Sequence, residues 1–213
     1  MSHSIWQEIY NTLLITYGNQ HWWPADSPDE VIIGTILTQN TNWKNVEKAI
    51  AALSKEDACS LEAITKIDTD MLARLIKPAG YFNIKAKRLK AVATALLNYH
   101  PDRNHPEDAR RFLLEINGVG PETADSILLY AYQIPTFVVD AYTKRVLSRL
   151  GMLSAGSEYE EIRQKFMKHL PGDAQLYNEY HALIVRHAKE CCLSQPNCEK
   201  CVFNHQCNYR ESQ

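Results

Sequence analysis

A short turn with two glycines, placed between two apolar runs, constrains this chain more than any other stretch. The first run ends at Ile116, the turn is Asn-Gly-Val-Gly at positions 117–120, and Pro121 opens the second run. Glycine tolerates positive φ and lets another segment approach closely, and proline is accepted at the first position of a helix. The pattern predicts a hairpin of two helices whose turn offers backbone N–H groups to a phosphate oxygen. An ordinary helix–helix connection is the alternative.

A single carboxylate, Asp140, stands twenty residues beyond the turn, directly after the apolar run Phe137-Val138-Val139. Another helical run begins at Ala141. Aspartate is a favoured N-cap residue, so we expect the Asp140 side chain to accept the N–H of Thr143. Capping a helix and taking part in chemistry do not exclude each other.

Apolar residues recur about every 3.6 positions along most of the chain, and strand-like alternation is absent from the sequence. These short runs, their short loops and the lack of a repeat predict an irregular all-α fold. The 213 residues, of which 45% are hydrophobic, suffice for one large domain or two small ones. The predicted helices are Ile5–Ile15, Val31–Leu37, Val46–Leu53, Leu72–Ile76, Ala86–Leu97, Ala109–Leu114, Ala124–Tyr132, Ala141–Leu150, Ile162–Leu170 and Tyr177–Ala188.

Charge limits the function classes. The formal net charge is −2, so any nucleic-acid site must be a local basic patch. One such patch runs from Lys77 to Lys90, with five basic residues and no acidic one. A solvated helix face is the alternative meaning of this run. Because no signal peptide or transmembrane run appears, we expect a soluble cytoplasmic protein that does not associate with membranes.

Two adjacent tryptophans and a proline, Trp22-Trp23-Pro24, lie in a stretch that lacks helical periodicity. Adjacent side chains point in different directions, which is an unusual way to fill a core. Aromatic faces can hold a nucleobase by stacking, and they hold a cationic base more strongly. The alternative is that both rings pack in the core.

A polar stretch, Gln39-Asn40-Thr41-Asn42, interrupts two apolar runs and is followed by Trp43. Asn42 is a candidate N-cap for the next helix. A capped turn between helices is the alternative to any functional role.

Four cysteines near the C-terminus follow the pattern C-x6-C-x2-C-x5-C. In a cytosolic chain, such a group is expected to bind a metal centre rather than form disulfides. Thiolate sites of this kind suit either zinc or an iron–sulfur cluster. The ligands would be Cys191, Cys198, Cys201 and Cys207, whereas Cys192 is out of register and Cys59 is expected to be a small buried hydrophobe.

Together, these motifs resemble the endonuclease III superfamily of DNA glycosylases. Residues 116–125 (INGVGPETAD) and 138–146 (VVDAYTKRV) are similar to its helix-hairpin-helix and catalytic-aspartate segments. Residues 80–88 (GYFNIKAKR) are similar to its glycine-aromatic turn and basic helix, and the cysteine spacing is similar to its [4Fe–4S] loop.

The resemblance implies roles for single residues. The hairpin would grip the backbone of the damaged strand, Asp140 would serve the flipped nucleotide, and Gln39 would be the wedge that fills the gap left by the extruded base. The implied DNA contacts are Gln39, Lys85, Lys87, Arg88, Gly118, Val119, Gly120 and Lys144. The implied base pocket consists of Trp22, Trp23, Pro24 and Trp43. The implied ligands of a [4Fe–4S] cluster are Cys191, Cys198, Cys201 and Cys207.

The resemblance also implies an architecture of two helical domains. A six-helix barrel with the hairpin would span residues 22–133, and residues 1–21 and 134–213 would form a domain with the cluster loop. The DNA cleft would lie between the two domains. The partner would be double-stranded DNA that contains a damaged base, bound by a monomer in the bacterial nucleoid.

Glu122 departs from the pattern of bifunctional members of the superfamily, which place at this position a lysine that attacks the sugar. A glutamate in the first turn of a helix interacts favourably with the helix dipole, by about 0.3–1 kcal/mol, without any other role. Because glutamate cannot form a Schiff base, the sequence implies a monofunctional glycosylase in which water is the nucleophile. Asp140 and Glu122 are the candidate catalytic residues.

Within the superfamily, the tryptophan pair and the Gln-Asn-Thr turn look most like those of bacterial 3-methyladenine DNA glycosylases. An alkylated purine is therefore the expected substrate, although the best-known members of that branch lack the cysteine cluster. One alternative is a glycosylase for oxidised or mismatched bases, with or without lyase activity at abasic sites. Another is a non-catalytic DNA-binding module with an iron–sulfur cluster.

Overall fold

The computed structural model describes residues 4–23, 25–154 and 156–211, and within these ranges all regular structure is helical. The all-α prediction is confirmed. Among the described residues, no helix has both the length and the apolar character that crossing a bilayer requires. The α-helices are α1 Ile5–Tyr17, α2 Pro28–Leu37, α3 Trp43–Lys55, α4 Leu61–Lys66, α5 Thr69–Leu75, α6 Phe82–Leu96, α7 Pro106–Glu115, α8 Pro121–Ser126, α9 Ala141–Arg149, α10 Tyr159–His169, α11 Ala174–Glu190 and α12 Asn208–Glu211.

Three shorter elements complete the fold. A π-helix, Ile127–Ala131, continues directly from α8, and two 3-10 helices span Lys77–Ala79 and Cys198–Lys200. The chain divides into two compact units. One unit is Trp23–Ile134, and the other combines Met1–Trp22 with Pro135–Gln213.

The unit Trp23–Ile134 is built around α2. Seven consecutive residues, Val31–Leu37, are buried, so protein surrounds this helix on all sides. Helices α3, α6 and α8 and the π-helix pack against it. The apolar cluster of this unit includes Leu72, Leu89 and Leu128.

Helix α4 is missing from the sequence-based prediction. It has six residues, of which only Leu61 and Ile64 are buried, so it shows too few apolar positions to reveal a period. Its beginning is set by Ser60, whose hydroxyl accepts the N–H of Ala63 at 3.1 Å. The cap predicted at Asn42 is confirmed, because its side-chain oxygen accepts the N–H of Asn45 at 3.1 Å.

The other unit is built around α11, against which α1 and α9 pack. Its core is aromatic. The rings of Phe137 and Phe166 stack with centroids 3.4 Å apart, and Phe166 meets Trp6 and Tyr180 edge-on at 4.7 and 5.4 Å. These contacts fix the extended segment that leads into Asp140 at the start of α9.

Candidate active site

Asp140 is the N-cap of α9. Its Oδ1 accepts the N–H of Thr143 at 2.7 Å, which confirms the predicted cap. Its Oδ2 lies 3.5 Å from Nε2 of His181 on α11. The Asp140 side chain is only 15% exposed, so the carboxylate lies in a largely dry environment, with Oδ1 hydrogen-bonded and Oδ2 facing the imidazole.

The environment of Asp140 favours its charged form. Burial raises the pKa of this carboxyl, but the charge of His181 and hydrogen bonds from His181 and Thr143 lower it, and the net effect is a pKa below the ordinary value. Asp140 is therefore a carboxylate at neutral pH, able to stabilise nearby positive charge.

The hairpin turn has one glycine with a left-handed backbone rather than two. Gly118 has φ +87°, whereas Gly120 is an extended N-cap with φ −95°, directly before Pro121. Val119 is buried in the apolar cluster, and its N–H donates to Ile116 O at 3.0 Å. Val119 therefore offers neither an exposed side chain nor an uncommitted amide to a phosphate, contrary to the sequence-based expectation.

A buried ion pair joins the two helices of the hairpin. Arg110 of α7 donates from Nε to Oδ1 of Asp125 at 2.9 Å and from Nη2 to Oδ2 at 3.2 Å. The Asp125 side chain is fully buried. The two helices are thus fixed by a charge pair as well as by apolar packing.

Gln39 is bound to the hairpin. Its Nε2 donates to Gly118 O and to Thr123 Oγ1, each at 3.1 Å, while its Oε1 accepts from Arg88 at 2.5 Å. The Arg88 side chain crosses Gly118 so closely that a β-carbon at position 118 would lie 2.5 Å from Arg88 Cγ. The segment that approaches this glycine is therefore a side chain.

The resemblance predicts that Lys85 contacts DNA, but in this structure its side chain is bound inside the unit. Its side chain is buried with 1% exposure, and Nζ donates to Leu37 O, Thr41 Oγ1 and Ala79 O at 2.7–2.8 Å. All three ammonium protons are thereby used inside the unit. Burial, with a smaller contribution from the charge of Arg88, lowers the pKa of Lys85 to about 8.

The remaining basic residues of the patch differ in exposure. Lys90 donates to the carbonyl oxygens of Thr65 and Ile67, whereas Lys77 and Lys87 are exposed. The basic stretch predicted from the sequence thus contains lysines that form hydrogen bonds within the protein and lysines that are exposed to solvent.

Lys144 is half-buried in the other unit. It lines a cavity of about 330 Å³ together with Ser148, Ser154, Ser157 and Glu158. Leu153 and Ile162 add apolar surface to this wall, so the lining is mixed.

Glu122 lies in the first turn of α8 and is exposed. Its backbone carbonyl accepts the Ser126 hydroxyl at 2.7 Å. The favourable position relative to the helix dipole agrees with the sequence-based interpretation.

The tryptophans are distributed over both units. Trp23 and Trp43 meet edge-on with ring centroids 5.2 Å apart, and Trp23 also contacts Tyr130 at 5.2 Å. Trp22 belongs to the other unit, and Pro24 lies outside the described residues. Of the four residues predicted to form the base pocket, Trp23 and Trp43 are in contact within the unit Trp23–Ile134.

A cavity of about 200 Å³ opens beside these two rings. Its wall carries two carboxylates, Glu30 and Glu47, and Glu47 Oε1 accepts the indole N–H of Trp43 at 2.9 Å. Sequence reasoning missed both. The contact between Trp43 and Glu47 could have been predicted from the sequence, because residues four positions apart lie on the same face of a helix.

The four predicted cysteine ligands follow α11. Cys191 is buried at the end of that helix, and burial together with the neighbouring thiols, chiefly Cys201, raises its pKa to about 12. Sγ of Cys201 lies 3.8 Å from Nε2 of His187, and Sγ of Cys207 is 3.3 Å from Arg149 O. The loop is thereby tied to both α11 and α9.

The chemistry of this donor set fits an iron–sulfur cluster. None of the four thiols is in a disulfide. Over residues 4–23, 25–154 and 156–211, no group of three or more suitable side chains converges on a single metal ion. A [4Fe–4S] cluster makes a different demand, because its four thiolates bind to the cluster rather than to one ion.

Comparison with known proteins agrees with this geometry. Residues 33–172 match the family described as HhH-GPD superfamily base excision DNA repair protein. A Methanocaldococcus jannaschii protein named "Putative DNA repair glycosylase MJ1434" is 48% identical over 207 residues, which cover 94% of each chain. Endonuclease III of Sulfolobus acidocaldarius is 33% identical over 84% of this chain and 80% of its own.

A solved structure is also similar. The 3-methyladenine DNA glycosylase of H. pylori, bound to 1,N6-ethenoadenine, superposes with a TM-score of 0.73 and 30% identity over 87% of this chain and 97% of its own. The chain belongs to the HhH-GPD superfamily of base excision DNA repair proteins, and it is a DNA glycosylase.

Proposed function

We propose that this glycosylase removes alkylated purines such as 3-methyladenine from DNA by hydrolysis. The observation that carries the proposal is the cavity beside Trp23 and Trp43, with Glu30 and Glu47 on its wall. The similarity to a 3-methyladenine DNA glycosylase at 30% identity supports it.

The cavity suits a cationic aromatic group. Its volume of about 200 Å³ is several times the roughly 30 Å³ share of one water in the liquid, so it has room for a flipped base. A purine alkylated at N3 or N7 carries a positive charge, which the face of an indole ring attracts by about 0.5–2 kcal/mol. Glu47 strengthens this attraction, because a carboxylate that accepts the Trp43 N–H makes the ring more electron-rich.

The bond to be broken requires little acid catalysis. An alkylated purine leaves with the electrons of the glycosidic bond, and positive charge then develops on the sugar. Asp140, ionised and hydrogen-bonded at Oδ1, stabilises that charge and orients the water that adds to the sugar. The proton that this water loses passes to solvent. Since residue 122 is glutamate, this position supplies no amine for a Schiff base, and the expected product is an intact abasic strand.

Double-stranded DNA with a damaged base is the proposed partner of a monomeric enzyme. The amides of Gly118 and Gly120 bind the phosphate backbone, and Lys87, Arg88 and Lys144 add positive charge. Gln39 exchanges its hydrogen bonds with the hairpin for a position in the gap left by the flipped base.

We also propose that the four cysteines that follow α11 hold a [4Fe–4S] cluster. When bound, the cluster fixes the loop of residues 191–207 by four covalent links. Arg149 already ties this loop to the end of α9 through Leu193 O and Ser194 O.

The test is a panel of duplexes, each with one damaged base, assayed for base release with and without alkali. We expect release of 3-methyladenine and 7-methylguanine, and strand breaks only after alkali. Asp140→Asn should fold and bind DNA, because asparagine caps helices about as well as aspartate, but it should release base roughly 10²–10³-fold more slowly. Activity within a few-fold of wild type would remove Asp140 from the mechanism.

The similarity to endonuclease III favours one competing function, the removal of oxidised bases with strand cleavage. It predicts release of an oxidised pyrimidine in preference to 3-methyladenine, and a covalent adduct with abasic DNA in the presence of borohydride. A non-catalytic module would show no base release from any duplex in the panel.

A further inference from the structure

His181 lies beside the proposed catalytic carboxylate, from a different helix. Its Nε2 is 3.5 Å from Oδ2 of Asp140, and the two side chains are 8% and 15% exposed. The residues are far apart in sequence and are brought together because α11 packs against α9.

The imidazole packs against the aromatic core of its unit. Its ring meets Phe137 edge-on, with centroids 6.4 Å apart, and Phe137 is itself stacked on Phe166. Phe137 also belongs to the extended segment that ends at Asp140, so the same packing positions both partners.

The two oxygens of Asp140 have different partners. Thr143 N–H binds Oδ1 at 2.7 Å, whereas His181 stands at Oδ2. With the backbone contact alone, the carboxylate could still rotate about its terminal torsion, which has a broad energy profile. A second contact at the other oxygen limits that rotation.

We infer that His181 is a positioning residue for Asp140, which holds the carboxylate in the orientation needed beside the flipped sugar. This inference rests on the proposed role of Asp140. The N···O distance of 3.5 Å exceeds the 2.7–3.2 Å of a good hydrogen bond. Catalytic hydrogen bonds often tighten only when substrate is bound, and we expect this contact to shorten in the DNA complex.

The test compares three variants at position 181. His181→Leu removes the donor, whereas His181→Gln keeps an N–H group at the reach of the imidazole Nε2. The shorter side chain of His181→Asn places its N–H group near the position of Nδ1 and does not reach Oδ2. We expect His181→Leu to slow single-turnover base release roughly 10²-fold, the typical cost of a misplaced catalytic group. Affinity for DNA that contains an uncleavable abasic analogue should stay within about twofold. His181→Gln should restore most of the rate, and His181→Asn should not.

The matched control is Tyr177→Phe, one turn earlier on the same helix. The Tyr177 hydroxyl is buried and makes no hydrogen bond among the described residues, so its removal should leave the rate of base release unchanged. A rate equal to wild type in His181→Leu overturns the inference. Equal slowing in all three variants, with lowered melting temperatures, overturns it too, because that result assigns His181 to packing.

A double-mutant cycle separates this inference from the proposed function. In the Asp140→Asn background, His181→Leu should cause no further loss, since it acts through the carboxylate. Full additivity of the two losses overturns the inference. If Asp140→Asn alone keeps wild-type activity, the proposed function of Asp140 fails, whatever the His181 variants do.

Discussion

The side chain of Arg88 occupies the space that a β-carbon on Gly118 would need. An ideal β-carbon there would lie 2.5–2.7 Å from Cγ, Cδ and Nε of Arg88, closer than real contacts allow. Arg88 in turn donates to Gln39, which binds Gly118 O. Glycine is therefore needed at position 118 for two reasons: the backbone has a φ of +87°, and the Arg88 side chain occupies the space of a β-carbon.

Gly118→Ala should destabilise the unit Trp23–Ile134 by roughly 2 kcal/mol, because it combines backbone strain with a steric clash. Urea unfolding measures this. Gly120→Ala is the matched control, since its backbone is extended and an added β-carbon meets nothing within 4 Å. The double variant, Gly118→Ala combined with Arg88→Ala, should recover part of the lost stability, because it removes the steric clash. Equal stability of the two single alanine variants contradicts the argument.

Substitution of Lys85 should lower stability, whereas substitution of Lys87 should weaken DNA binding. Lys85→Met leaves Leu37 O, Ala79 O and Thr41 Oγ1 without their buried donor and should cost roughly 1–3 kcal/mol of unfolding free energy. Lys87→Met changes an exposed side chain, so stability should hold while the salt dependence of DNA binding weakens by about one phosphate contact. The reverse pattern would place Lys85 at the DNA.

What could be predicted from the sequence was local. The caps at Asn42 and Asp140 depend on the next three residues of the chain, and both were predicted correctly. The fate of Lys85 depends on acceptors at Leu37, Thr41 and Ala79, which only the packing of the helices brings together. The sequence of one helix does not distinguish a lysine that faces solvent from a buried lysine that donates hydrogen bonds to other segments.

The same limit applies to the candidate site. His181 meets Asp140 through the contact of two helices, and no local motif marks that pair. Helix α4 was missed because six residues with two buried positions carry no period. The resemblance of the hairpin and the cysteine spacing, by contrast, identified the superfamily, because several motifs had to agree at once.

The stability of the unit Trp23–Ile134 should rise with pH through the titration of Lys85. Burial lowers its pKa to about 8, below the ordinary value of 10.5, so between these values the unfolded chain binds more protons than the folded one. The unfolding free energy should therefore increase from about pH 8 to about pH 10.5, by at most roughly 3 kcal/mol. Lys85→Met should lack this increase in urea titrations, and identical pH profiles would rule the explanation out.

Protein purified without oxygen should be brown and contain iron and sulfide. Cys198→Ser should lose iron and become less soluble, because the loop after α11 then lacks one of its four proposed links. Cys59→Ser is the control. Cys59 lies in the unit Trp23–Ile134, away from the cysteine loop in sequence, so this variant should keep its iron. Colourless protein with stoichiometric zinc would overturn the proposed cluster.

Glu47 should determine selectivity for charge in the base rather than the overall rate. Glu47→Gln keeps the size of the side chain but removes the charge beside the Trp43 ring. Release of cationic 7-methylguanine should fall several-fold, in line with a loss of about 1 kcal/mol of cation–π attraction. Release of neutral 1,N6-ethenoadenine should change little. The measured quantity is the ratio of the two single-turnover rates.

Two further variants make this result specific. Glu56→Gln removes an exposed carboxylate just beyond the end of α3 and should leave the ratio unchanged. Trp43→Phe removes the indole N–H, so Glu47→Gln should have a smaller effect in that background. A proportional fall for both bases would show that Glu47 supports folding or DNA binding instead. No release of either base by the unmodified protein would reject the substrate class itself, which is a different failure from an unchanged ratio.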